Sequence, residues 1–294
     1  MRVCLHVIAI CLVTSGLGAT SQAHAECRLD AGPRRTVATV IDGETLRLDD
    51  GGEVRLAGVL APRGLDAGVA DADWPAAMAA TAALRALTAG RTVALGFSGT
   101  SRRDRANRHV AQVFVIDGDQ ETWVQGRMLS DGHARATQSK DQRGCADELL
   151  AHERQARDAG KGLWAMGAYL PRSAINGREL EGMGNAFAVL SGRVAWVAEG
   201  RESVALGFTP SSQPTLQPWR IRNVAGRRGV VVMIENRDRA LLGTLGGDAK
   251  ALEGQRVEVR GWLEHRLGRP PGTYVIDVSP SGMIQVLAPE GQGK

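Results

Sequence analysis

Few residues in this chain have the types and spacing that chemistry needs. His109, His133, His152 and His265 are scattered, and Glu148, four residues before His152, reads as a helix-surface pair rather than a ligand set. No GxSxG elbow, Gly-rich phosphate loop or paired nucleophile and base is present. Cys27 and Cys145 have no CxxC or Cys/His neighbour, which argues against zinc. What remains is a set of acids and arginines. VIDGETLRL carries Asp42 and Glu44; RLAGVLAPR carries Arg55 and Arg63; Asp66, Asp71 and Asp73 follow in a loop; DRANRHVAQVFV carries Arg108. An arginine's planar fork pairs two phosphate oxygens at once, so this residue type suits anion binding. It stays protonated in proteins, so it cannot serve as a general base.

The elements that must position these residues read as mainly β with added helices. TVATVIDGETLRLDDGGEVRLAGV alternates apolar and polar residues, with turns at Asp42-Gly43 and Asp49-Asp50-Gly51-Gly52, and predicts a three-strand meander. WPAAMAATAALRALTAG predicts a helix with Asp73 as N-cap, Pro75 in the first turn and Gly90 as the stop. RTVALGF and HVAQVFVIDG predict two more strands, and Thr122 to Ser130 and Ala146 to Ala159 two more helices. Five short strands with an inserted helix fit a small closed barrel of the OB type. A looser stretch, 166–186, reads as linker. Beyond it FAVLSGRVAWVAEG, SVALGF, GVVVMIE, QRVEVRGWLEH, TYVIDV and MIQVL predict a second small OB-like barrel over 187–294.

The first 25 residues combine an early Arg, an apolar run from Val3 to Val13 and an Ala23-His24-Ala25 ending, the pattern of a secretory signal cleaved before Glu26. No later run approaches the roughly 20 apolar residues of a membrane-spanning helix. The reading is therefore a periplasmic or secreted protein, with domains at 26–165 and 187–294 and no membrane span after cleavage. In an oxidising compartment Cys27 and Cys145 most simply form one disulfide; free buried thiols are the alternative. Residues 26–170 carry 19 Lys and Arg against 20 Asp and Glu, and 171–294 carry 16 against 12. Only the second half is basic, an excess that permits an anionic partner without demanding one.

The first domain resembles the thermonuclease, or staphylococcal-nuclease-like, family. VIDGETLRL, RLAGVLAPR, DRANRHVAQVFV, WVQGRMLSDGHARA and ERQARDAGKGLWA are similar, in order, to five of its segments. The resemblance implies an OB barrel of five strands and three helices. It also implies phosphodiester cleavage of DNA or RNA with Ca2+ held by two Asp, a Glu that activates water and two Arg on the phosphate. Here Arg55 and Arg108 fall on the two Arg positions and Glu44 on the first Asp position. Leu60 falls on the second Asp position and Arg63 on the Glu position. Leucine offers no oxygen to a cation that takes six to eight, and Arg63 cannot activate water. Such a site should repel Ca2+ and take phosphate directly, through Arg55, Arg63 and Arg108.

Three functions follow. One is a degenerate, non-catalytic module that binds nucleic acid, another phosphate-bearing ligand or a protein, with no cofactor. The second is an active Ca2+-dependent nuclease, with Asp42, Asp66, Asp71 or Asp73 rebuilding the metal site. The third is a structural envelope protein. In the second domain, Trp219-Arg220-Ile221-Arg222 and Arg260-Gly261-Trp262 could stack bases beside cations, although an aromatic at strand spacing more often packs a core.

Overall fold

The computed structural model describes residues 27–66, 74–138, 144–175, 179–180, 182–209, 229–238, 248–264, 273–278 and 282–288. The expected leader, Asp71, Asp73, Trp219 to Arg222 and His265 lie outside them. The described residues are mainly β with three α-helices.

The first barrel is organised by one long strand, β1 (Asp30–Asp42). Its first part pairs with β5 (Thr92–Phe97) and its last part with β2 (Thr45–Leu48), with irregularities at Ala31/Arg34, Val37/Thr39 and Val40/Asp42. Such shifts bend a strand enough to serve two halves of a barrel. β2 pairs with β3 (Glu53–Leu56) and β5 with β6 (His109–Asp117). Parallel pairing of β3 with β6 closes the ring, placing Arg55 opposite Val110. Closure thus brings the Glu44, Arg55 and Arg108 segments side by side. Val37, Leu46, Val54, Leu56, Val93 and Val113 fill the interior.

Two short strands, β4 (Val59–Leu60) and β8 (Arg135–Ala136), pair with each other. The helix α1 (Pro75–Thr88) starts one residue later than expected, with Trp74 at the N-cap and no side-chain cap bond. Residues Thr122 and Trp123, expected as helix, belong instead to β7 (Gln120–Trp123). They pair with Val115 and Phe114 across the Asp117-Gly118 turn, where β-branched and aromatic residues favour a hairpin. The helix α2 (Val124–Ser130) follows, and α3 (Ala146–Asp158) begins just after Cys145. Cys145 is disulfide-bonded to Cys27, with Cα atoms 5.0 Å apart.

Residues 166–186 are more than a connector. Tyr169, Ala174 and Leu180 are buried, and β9 (Arg172–Ser173) runs parallel to β10 (Phe187–Arg193). In the second unit, Val194-Ala195 divides FAVLSGRVAWVAEG between β10 and β11 (Trp196–Glu199), which lie in different sheets. β10 pairs with β14 (Arg256–Trp262), which pairs with β16 (Ile284–Val286). β11 pairs with β12 (Ser203–Gly207), then β13 (Gly229–Glu235) and, in parallel, β15 (Thr273–Asp277). A bridge between Glu264 and Val275 joins the two sheets over a core that includes Leu190, Val204, Val232 and Val259. Trp196 is core, seated on Gly207, where any Cβ would meet the indole; its Nε1 donates to the Thr209 carbonyl at 3.1 Å.

Candidate functional site

Glu44 sits in the tight turn between β1 and β2, where its amide donates to Asp42 Oδ1 at 2.8 Å. Its carboxylate is buried. Oε2 accepts from the Ala61 amide at 3.0 Å, while Oε1 pairs with Arg55 at 3.2 Å and, in closer contact, with Arg63. One carboxylate is therefore shared by two guanidiniums, whose side chains remain 31% and 36% exposed. The register explains this convergence: Thr45 pairs with Arg55, so the turn residue before Thr45 meets the Arg55 side chain.

Arg108 follows a turn in which Asn107 has positive φ. Asp104 Oδ1 accepts from the amides of Ala106 and Arg108, and Oδ2 from Arg108 Nε at 2.8 Å. Partial burial pushes the Asp104 carboxyl up, but these bonds outweigh it and hold the group below its ordinary range. The four-residue spacing in DRANR was a signal for this pairing that the sequence reading passed over.

Arg55 and Asp104 line one cleft of about 310 Å³, together with Leu60, Arg103, Thr137 and Trp262. A second cleft of about 480 Å³ lies on the other side of Glu44, between Gly43, Arg63, Met78 and Arg85. Glu44 and Arg63 thus belong to one cleft, Arg55 to the other.

Leu60 is 1% exposed and packs against Phe187 and Val189 of β10. Leu60, the residue expected at a second acid position, is thus covered by the second β unit. Asp66 is also committed: Oδ2 accepts from the Arg63 amide at 3.0 Å and from Arg135 at 2.9 Å. Arg135 is buried, donates to the Phe187 carbonyl at 3.0 Å and lies over the rings of Tyr169 and Phe187. Burial pushes its guanidinium down and Asp66 opposes that shift. Arg135 escaped the sequence reading because its partners lie on distant segments.

Calcium can be tested against these residues directly. Glu44 Oε1 faces two cations, Leu60 has no oxygen and is packed under β10, and Asp66 is taken by Arg135. Among the described residues no three His, Cys, Asp or Glu side chains are grouped for a metal. The donor set that the described residues present does not fit the ion.

The closed barrel places one buried carboxylate, Glu44, against two guanidiniums, Arg55 and Arg63. Residues 53–166 match the family described as Staphylococcal nuclease homologue, which supports a staphylococcal-nuclease-like domain over that stretch. The match includes Arg55, Leu60, Arg63 and Arg108, and begins after Glu44. No curated protein matches the chain.

Proposed function

We propose that the chain is an exported, non-catalytic derivative of the nuclease fold that holds a phosphate-bearing ligand, nucleic acid being the class that its ancestry favours. The observation that carries this reading is the commitment of Glu44 to Arg55 and Arg63. A carboxylate so paired is a poor cation ligand, while two guanidiniums sharing one carboxylate keep unspent capacity for an anion. In the cleft lined by Arg55, Arg103 and Asp104, two guanidiniums stand against one carboxylate. Leu60 under Phe187 supports the same reading, because a buried leucine offers no oxygen to a cation. Export rests on the leader pattern of residues 1–25 and accords with the Cys27–Cys145 disulfide. No described helix is long and apolar enough to cross a membrane.

The competing reading, an active metal-dependent nuclease, rests on the family match and the retained Arg55 and Arg108. Glu44→Gln separates the two. Removing the charge that neutralises Arg55 and Arg63 should tighten oligonucleotide binding in chelator by severalfold, with no cleavage before or after the change. Metal-dependent cleavage by the wild type that disappears in Glu44→Gln would overturn the proposal. Neither cleavage nor binding would leave a structural role.

A further inference from the structure

Trp262 is the last residue of β14 and pairs with Phe187, whose ring meets the indole edge-on at 5.7 Å. Trp262 is nevertheless 42% exposed, and it lines the same cleft as Arg55 and Arg103 of the nuclease-like barrel. Arg103 meets only neutral acceptors among the described residues, the Asn107 carbonyl and side-chain oxygen and the His109 ring. Among the described residues no carboxylate pairs with it. Arg55 shares its one carboxylate with Arg63. The cleft thus combines a fixed aromatic face from one β unit with two incompletely neutralised guanidiniums from the other. Thr137 also lines the wall.

An aromatic surface beside cations recognises a group that is itself flat and apolar on one side and anionic on the other. A nucleotide has that form, and an unpaired one can present its base to an indole, which a base held within a duplex cannot. From this juxtaposition we infer that the cleft is a composite site for single-stranded nucleic acid, with a base stacked on Trp262 and the adjoining phosphate on Arg55 and Arg103. The inference rests on the anion-binding reading and deepens it: the second β unit supplies the preference for single strands, and neither unit alone forms the site.

The test uses the full mature chain in chelator, with a fluorescent oligothymidylate of about ten nucleotides and the matching duplex as probes. The single strand should bind more tightly than the duplex. Trp262→Ala should weaken single-strand binding about tenfold or more, Trp262→Phe should retain most of it, and Arg55→Gln should weaken both probes and flatten the salt dependence. Wild-type affinity in Trp262→Ala, with Arg55→Gln still impaired, would overturn the stacking inference while leaving the anion site standing. Failure of the wild type to bind either probe or inorganic phosphate would overturn both. Competition on the wild type gives an answer independent of any variant's folding. Thymidine monophosphate should displace the oligonucleotide at a concentration about tenfold below that of inorganic phosphate, and equal potency would overturn the inference.

Discussion

Two clusters of arginine and glutamate in this molecule use the same chemistry at different depths. At the mouth of the barrel, Glu44 holds Arg55 and Arg63 with both guanidiniums about one-third exposed. At the junction between the two β units, Arg260 lies between Glu153 of α3 and Glu258 of its own strand, at 2.8 and 2.7 Å, and Arg157 reaches Glu258 through two bonds of 2.9 and 2.7 Å. Arg260 and Glu153 are each 1% exposed. The buried cluster is closed: each guanidinium and carboxylate already faces its complement. The exposed one is open, because two cations share one anion and water reaches both. Depth decides whether such a cluster fastens the molecule to itself or stays available to a ligand.

The largest effect should come from breaking the closed cluster. Arg260→Ala leaves Glu153 and Glu258 buried with less compensation and should cost about 3 to 5 kcal/mol in denaturant unfolding. An effect near zero would mean that the junction is not desolvated as described. Next, Leu60→Asp places a carboxylate against Phe187 and Val189 and should cost about 3 kcal/mol. It should lower the melting temperature without, by itself, restoring metal-dependent cleavage. Acid should distinguish the clusters further. Burial pushes the Glu258 carboxyl up, but Arg157 and Arg260 outweigh it and hold it below the ordinary glutamate range. Its contribution to stability is therefore complete above about pH 4.3, the unfolded value, and is lost as pH falls below that. Melting temperatures should drop over that acid range in the wild type and less in Glu258→Gln measured against its own neutral-pH value. The smallest effect belongs to the open cluster: Arg63→Ala should change stability by less than about 1 kcal/mol, while weakening phosphate binding.

Much of the barrel was legible because its strands alternate and its turns are written as Asp-Gly pairs. Five ordered segments identified the family, and the scattered cysteines predicted the bond between Cys27 and Cys145. The residue types at Leu60 and Arg63 were legible too. What surrounds them was not. Leu60 is covered by Phe187 and Val189 through packing between units, for which one-dimensional spacing carries no signal. Arg63 reads from sequence as a phosphate-binding residue; its bond to Glu44 depends on barrel closure and on Asp66 holding its backbone. Trp262 sits at strand spacing, where packing is the usual outcome, and its exposure in the cleft is set by where β14 ends. The Gln120–Trp123 strand was misread because four residues after a turn are too few for period to separate strand from helix.

The bond between Cys27 and Cys145 makes a covalent ring of the intervening chain, 118 residues apart in sequence. Glu44, Arg55, Leu60, Arg63, Asp104, Arg108 and Arg135 all lie on that ring. A protease that cuts once anywhere within it opens a loop but releases no fragment. The site's parts would remain on one molecule after a nick, and reassembly would need no second-order encounter. That ring sets how much backbone cleavage the site survives with its parts still joined.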